Sequence, residues 1–457
     1  MTKLYKYQKQ GVRELHALDG RALLADEMGL GKTLQALTYA RRMEPVIIVC
    51  PASLKYNWER EAALHYGIGA EVLEGTRPPA KQRLTTHHPM VVINYDILPH
   101  WLDHLIREKP QCVILDEVHY CKNKTAKRTK AVKKLCQGAE HVIGLSGTPM
   151  TNRPSELWSI LNIIRPDLFP AFFPYAMRYC KARKRPWGWE FKGATNMPEL
   201  NKILRENVMI RRLKKDVLKD LPDKQRSVVT FDLDNWDEYQ AANDDLISWL
   251  ATQSKTKAKK AAKAEKVVQF GYLKRLAIKG KYLAACDWID QFFEETGRKL
   301  VLFAVHRAVM KWLHSRYPNS VVVNGDVVGR RRQLAVDKFN NDPECRLFIG
   351  QLKAAGAGIN LQKGASDLAF MELGWTPSDH TQAEDRIHRI GQKNGAQCYY
   401  LVARGTIEEM LCGVIQTKQG VVDQALDGAD INSSSFDVYD ELEKVMTNEV
   451  GDFASTV

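Results

Sequence analysis

The 457-residue sequence predicts an α/β fold of two parallel-sheet lobes with helical insertions. Three observations carry this. Short apolar, β-branched runs bounded by turn residues alternate with helical stretches, the rhythm of βαβ units and a parallel sheet. The rhythm occurs twice, over Val46–Cys50, Val91–Asn94 and Val113–Leu115, then over Leu300–Val305, Val321–Val323, Arg346–Ile349 and Tyr399–Val402. The length also exceeds one core, because domains of about 150 residues are usual.

Taken in order, the chain opens with M-T-K-L-Y-K-Y-Q-K-Q, which has no apolar signal region, so an intracellular site is expected: bacterial cytoplasm, or host cytoplasm or nucleus if viral. Thr33 to Met43 suits a helix after a glycine-bearing loop, and buried strands follow. Helical periodicity dominates from Leu157 to about Leu221, broken by Pro166, Pro170 and Pro174 and carrying a basic, tryptophan-bearing patch at Arg183 to Lys192. Lys255 to Lys266 holds six lysines and one glutamate, and reads either as a DNA-facing helix or as a solvated connector. From Asn432 the tail is acidic and serine-bearing. The expected division is lobe one over 1–225 with a helical protrusion at 155–222, a helical connector and second protrusion over 226–296, lobe two over 297–430, and a tail over 431–457.

Composition limits the function. Hydrophobic content of 44% is that of a globular chain, and no apolar run nears the roughly 20 residues of a membrane span. Nine cysteines without a C-x-x-C pair read as reduced thiols rather than a zinc site. A net charge of +13 points to a polyanion such as nucleic acid, although surplus lysine also serves solubility.

D-E-M-G-L-G-K-T, Asp26 to Thr33, suits a phosphate: Gly29 and Gly31 free the backbone N–H groups, Lys32 adds a point charge, and Thr33 can reach a magnesium ion at a helix start. Asp26 stands where the first glycine of a phosphate loop belongs, which leaves an ordinary turn before a helix open. In V-I-L-D-E-V-H, Asp116 and Glu117 fall just past an apolar strand, where parallel sheets place ligands. Asp116 would hold Mg2+ and Glu117 would activate water; an N-capping pair is the alternative. L-S-G-T-P, Leu145 to Pro149, fits a γ-phosphate relay or a plain tight turn. In T-Q-A-E-D-R-I-H-R-I-G-Q, a helix would align Gln382, Arg386 and Arg389 at i, i+4 and i+7, an arginine-finger face or one that binds an acidic surface of the same protein.

The motif order from Tyr7 to about Gln416 resembles a Swi/Snf-type ATPase of helicase superfamily two. P-A-S-L-K-Y-N-W-E-R-E, I-N-Y-D, D-E-V-H, L-S-G-T-P-M-T-N-R-P, A-A-G-A-G-I-N-L and Q-A-E-D-R-I-H-R-I-G-Q stand in that family's order, and I-R-R-L-K-K-D-V-L-K-D-L-P-D-K, Ile210 to Lys224, resembles a signature specific to it. Val118 and Ala357 depart from the usual pattern without removing a functional atom. The resemblance implies RecA-like lobes that bind ATP and Mg2+. Gln8 would read adenine; Gly29, Gly31, Lys32 and Thr33 would hold phosphates; Thr33 and Asp116 would hold the metal. Lobe two would supply Gly358, Gln382, Arg386 and Arg389. Ser146 and Thr148 would couple the site to nucleic acid, and Lys55, Asn57 and Trp58 would face DNA.

It further implies a double-stranded DNA translocase, monomeric and independent of membranes, acting on DNA or DNA-bound proteins. A strand-separating or annealing helicase, or a nucleotide-gated DNA-binding subunit partnering a nuclease, are the alternatives. Within the family the chain is most similar to the compact annealing-helicase branch without its added substrate-recognition domain, so a bare motor is expected.

Overall fold

The computed structural model describes residues 3–78, 88–147, 149–150, 154–186, 188–191, 193–244, 266–355 and 359–415. The basic stretch at 255–265, the tail at 431–457, and Trp187 and Lys192 of the basic patch lie outside the described residues. Two compact units divide between Leu221 and Pro222, ahead of the boundary expected after residue 225.

In lobe one the strands are β1 (Arg21–Leu24), β2 (Val46–Cys50), β3 (Ala70–Val72), β4 (Met90–Asn94), β5 (Cys112–Asp116), β6 (His141–Leu145) and, beyond a separate hairpin, β9 (Met209–Ile210). They form one parallel sheet in the order β3-β4-β2-β5-β6-β1-β9. Every residue of β2 and β4 is buried, as a strand covered on both faces requires. Alternate residues feed two cores: Ile47 and Val49 enter one, Val46 and Ile48 the other. Each such side chain contributes about 1.5–3 kcal/mol on burial. Because β5, β6 and β1 are neighbours, the loops after them, carrying Asp116–Glu117, Ser146 and Asp26–Lys32, emerge side by side at the carboxyl end of the sheet.

The protrusion is not wholly helical. Helices Pro154–Ile164, Phe172–Tyr179 and Met197–Asn207 enclose an antiparallel hairpin of β7 (Arg183–Arg185) and β8 (Gly188–Glu190), and β9 then returns to the edge of the main sheet beside β1.

Lobe two is a parallel sheet of β10 (Lys224–Phe231), β11 (Leu300–Ala304), β12 (Val321–Val323), β13 (Leu347–Gln351), β14 (Asp367–Phe370) and β15 (Ala396–Ala403), ordered β10-β15-β14-β11-β13-β12. Most of β10 had been expected within a helical connector. It is an edge strand, largely exposed at Gln225–Val228, so its polar letters hide the pairing with β15. The 31-residue helix Lys266–Thr296 packs on the same sheet. Its fully buried Lys281 donates to the Leu401 carbonyl of β15 and to Glu408 Oε2 at 2.6 Å. All nine cysteines are buried and outside disulfides. No described helix is long and apolar enough to cross a membrane.

Candidate functional site

In lobe one the site begins where β1 ends. Gly29 and Gly31 have φ of 84° and 75°, in the left-handed region, and Gly31 caps the helix α2 (Lys32–Ala40, which follows α1, Lys6–Ala17). A Cβ on Gly31 would stand 2.5 Å from Gln8 Nε2, so glycine is required there. The Tyr7 hydroxyl and Gln8 Nε2 both donate to the Leu30 carbonyl, at 3.1 and 3.2 Å, seating the expected adenine reader against the loop. Lys32 Nζ donates to the carbonyls of Asp26 at 2.7 Å and Glu27 at 3.3 Å, and Thr33 lies partly exposed in the first turn of α2. Gly147, from the loop after β6, closes over this point: a Cβ there would meet Met28 Cγ at 2.3 Å and Lys32 Nζ at 3.4 Å.

Asp26, the residue in place of the first glycine, is fully buried. Both of its oxygens lie 3.2 Å from Arg212 Nη1, and Oδ2 also accepts from Gln35 Nε2 at 3.0 Å. Burial raises its carboxyl above the ordinary range, against the opposing pull of Arg212. Arg212 Nη2 reaches Glu14 Oε2 at 2.5 Å, and Arg211 Nη1 donates to the Ala25 carbonyl at 3.2 Å and that of Gly147 at 3.4 Å. The backbone joins in: Glu27 N–H bonds the Arg212 carbonyl at 2.9 Å, and Lys214 N–H bonds Glu27 Oε2 at 2.7 Å. The Ile210–Lys224 signature therefore starts as a brace on the phosphate loop.

Asp116 and Glu117 stand at the end of β5. Asp116 Oδ1 accepts from the Glu117 N–H at 3.0 Å, and Oδ2 accepts from Trp58 Nε1–H at 2.8 Å. Burial and the adjacent Glu117 push the Asp116 carboxyl up to about 7, opposed by Trp58 and by the charge of Lys32. Glu117 holds φ of 49°, a left-handed conformation uncommon outside glycine and found mostly where function fixes it. His119 Nδ1 sits 3.3 Å from Glu117 Oε2 and 3.5 Å from Ser146 Oγ, a bridge between the D-E-V-H and S-G-T loops.

The donor set fits ATP and Mg2+. Left-handed glycines at a helix start beside a lysine suit a phosphate chain, while Thr33 and Asp116 offer the hard oxygens magnesium takes. Among the described residues no group of three or more His, Cys, Asp or Glu forms a metal cage.

Two expectations are corrected. Lys55 and Trp58, on the helix α3 (Lys55–Tyr66), do not face outward: Lys55 Nζ donates to the Leu73 carbonyl at 2.8 Å, and Trp58 is 1% exposed against Asp116. The helical period of α3 puts Lys55 and Trp58, three residues apart, on its buried face, whereas Asn57 stays at the partly exposed side. Ser146 is also buried, and Thr148 and Gly358 lie outside the described residues.

In lobe two the helix Pro377–Glu384 ends before the arginines, so Gln382, Arg386 and Arg389 do not share one helical face. The N–H groups of Arg386 and Ile387 bond the carbonyls of Ala383 and Glu384, and the chain continues in tight turns. At this helix end Glu384 is fully buried, bound by Lys224 Nζ at 2.7 Å, by Arg226 Nε and Nη2 at 2.7 Å each, and by the Tyr400 hydroxyl at 2.9 Å. Burial alone would raise this carboxyl, but Lys224 and Arg226 hold it down to about 2. Arg386 Nε donates to the Gln382 carbonyl at 2.9 Å and Nη1 to that of Ile359 at 3.5 Å, and Arg389 donates to Asn360 Oδ1. Arg332 joins them, its guanidinium on the Ala354 carbonyl and its pKa pushed down to about 10 by burial and by Arg386. The sequence reading missed Arg332, although the run Arg330-Arg331-Arg332 at a helix start was a signal; it gave none for Arg212, Gln35 or Arg226 as partners of buried carboxylates.

Comparison with known proteins shows the family of the chain. Residues 7–279 match the model of the SNF2-related domain and residues 281–391 that of the helicase conserved C-terminal domain. The chain is similar to a SWI/SNF-related matrix-associated actin-dependent regulator of chromatin subfamily A-like protein 1 homolog of Caenorhabditis elegans, 36% identical over 97% of this chain and 64% of that protein. It is 33% identical to the DNA annealing helicase and endonuclease ZRANB3 of Homo sapiens, over 93% of this chain and 41% of that protein. The chain thus spans less than two thirds of the length of these relatives. Among solved structures, the Sulfolobus solfataricus SWI2/SNF2 ATPase core in complex with dsDNA aligns with a TM-score of 0.45 at 25% identity, covering 93% of this chain and 94% of that one.

Proposed function

The chain belongs to the SNF2-related family, and on that premise we propose that it is an ATPase driven by double-stranded DNA, which moves along the duplex or remodels protein–DNA complexes without processive strand separation. The observation that carries this reading is the convergence of Lys32, after β1, with Asp116 and Glu117, after β5, at the carboxyl ends of the two strands that flank β6, with the Lys32 charge felt at Asp116. Mg2+ bound with ATP would neutralise phosphate charge as the terminal phosphoryl leaves. Lys32 and Thr33 would hold the phosphates and Asp116 would hold the metal, with Trp58 orienting the Asp116 carboxylate. Glu117 takes the proton of the attacking water, and His119 ties its carboxylate to Ser146, so that the loop after β6 senses its position. In lobe two, Arg386 and Arg389 are assigned to the charge that develops on the transferred phosphoryl group.

Duplex DNA is gripped through phosphates, so binding is salt-sensitive and largely independent of sequence. The motor acts as a monomer inside the cell, on DNA, with DNA-bound proteins or a nuclease subunit as its protein partners. Turnover with blunt duplex, single-stranded DNA, RNA and no nucleic acid tests the reading; a rate that duplex leaves unchanged overturns it. A strand-annealing activity is the second reading, favoured by the similarity to a protein named a DNA annealing helicase. Annealing of complementary strands coated with a single-strand-binding protein, set beside triplex displacement on intact duplex, separates the two.

A further inference from the structure

The protrusion of lobe one carries a surface that nucleotide chemistry does not use. In the β7–β8 hairpin, Arg183 lies opposite Glu190, Lys184 opposite Trp189, and Arg185 opposite Gly188. Opposed residues share a face, so Lys184 and Trp189 stand together while Arg183 and Arg185 take the other side with Glu190. Arg185 is tied to Glu190 at 3.0 Å, which leaves the hairpin with three cations against one carboxylate. Trp189 is 43% exposed, and beside it on the helix Phe172–Tyr179 stand Phe173, 47% exposed, and Met177, 44% exposed, one turn apart. The Phe173 ring meets Trp189 edge to face at 5.4 Å and 83°, and Phe191 lies parallel to Trp189 at 6.5 Å and 8°, itself packed against the lobe-one core.

Exposed aromatic rings braced by the core and edged by cations are the arrangement that captures unpaired bases, with a ring for the base and an ammonium or guanidinium for its phosphate. A duplex keeps its bases stacked inside and offers such a surface only phosphates. A scattered exposed Leu needs no account, but a contiguous Trp, Phe and Met patch marks a contact surface, and its positive edge selects a polyanion over an apolar protein face.

We propose that the β7–β8 hairpin and the Phe173–Met177 face form a binding site for single-stranded DNA, with a base stacked on Trp189 and its adjacent phosphate on Lys184. The proposal shares with the motor reading only its DNA partner. A full-length chain would then grip a single-stranded arm here while its nucleotide lobe answers to duplex.

The test measures anisotropy of a labelled oligothymidylate and of a blunt duplex on the full chain. Trp189→Ala is expected to weaken the oligothymidylate by about five- to a hundredfold and leave the duplex nearly unchanged, and Trp189→Phe to recover most of the loss. Lys184→Glu, which keeps every ring, is expected to weaken it too and to lower its salt slope by about 0.7. Unchanged oligothymidylate binding in both Trp189→Ala and Lys184→Glu, with melting as in the parent chain, overturns the site, and so does an equal loss on blunt duplex. Duplex-stimulated ATP turnover is read in parallel on the parent chain. Stimulation with no effect of the variants removes the hairpin site alone, whereas loss of oligothymidylate binding without stimulation upholds the hairpin and removes the motor reading.

Discussion

Each lobe buries a carboxylate beside its functional loop, and the two are handled differently. Asp26 in lobe one has one arginine, Arg212, and a glutamine amide, and its carboxyl stays above the ordinary range. Glu384 in lobe two has a lysine, a bidentate arginine and a tyrosine hydroxyl, and its carboxyl is held far down. The first arrangement holds the Asp26–Lys32 loop; the second sits at a helix end just ahead of two arginines. The cations for both come from one short basic stretch, with Arg211, Arg212 and Lys214 serving lobe one and Lys224 and Arg226 serving lobe two. A signature recognisable as a single motif thus does two unrelated structural jobs.

The sharpest way to break this comparison is at the chemistry. Arg386→Ala should lower turnover by about a thousandfold or more if lobe two supplies charge to the reaction. Stopped ATP hydrolysis with retained nucleotide affinity is the expected pair of results, and full turnover would make the arginine cluster purely architectural. Glu117→Gln should cost about a hundred- to ten-thousandfold while binding persists, because only the proton acceptor is lost. Single-turnover kinetics on both variants separates chemistry from release.

The next effects are on stability. Arg212→Ala strands Asp26 in the interior and should destabilise lobe one by about 3–5 kcal/mol, and adding Asp26→Gly should recover most of it. Thermal melts of the single and double variants check this; additive losses would dissolve the pairing. In lobe two the sign follows from a depressed pKa: Glu384 titrates near 2 when folded and near 4.3 when unfolded, so its contribution is complete above that unfolded value and lost as pH falls toward 2. The amount is on the order of 3 kcal/mol, and Glu384→Gln should flatten the acid limb of the stability profile between those values. The smallest effect is expected at Trp58→Phe, which keeps the packing and removes one charge-assisted bond to Asp116. Titrating Mg2+ against bound fluorescent nucleotide should show roughly tenfold weaker metal dependence, corresponding to about 1.5 kcal/mol.

Much of lobe one was legible because its strands are apolar letters between turns, and its site lies where such strands end. Spacing marks Lys32, Asp116 and Glu117 as candidates while leaving an ordinary turn and an N-capping pair open, and the sheet order sets their loops at one carboxyl end. What spacing does not carry is the partner across a fold: Trp58 reads as a surface aromatic until β5 is set beside its helix, and Lys55 reads as a DNA contact until Leu73 offers it a carbonyl. In lobe two, i, i+4 and i+7 periodicity suggests a helix through Arg389, but the helix ends at Glu384, whose side chain is held by Lys224 and Arg226 across the lobe. β10 was missed because an edge strand wears polar residues, and Lys224 and Arg226 look like solvated charges when they are Glu384's partners.

The divided basic stretch also says where this polypeptide can be cut. A fragment ending at residue 225 would carry Lys224 away with the first lobe and leave Glu384 short of a partner in the second, inviting misfolding of the recombinant half. Ending one fragment at Leu221 and starting the other at Pro222 leaves Asp26 with Arg212 and Glu384 with Lys224 and Arg226, so each separately expressed half should fold with its own circular dichroism.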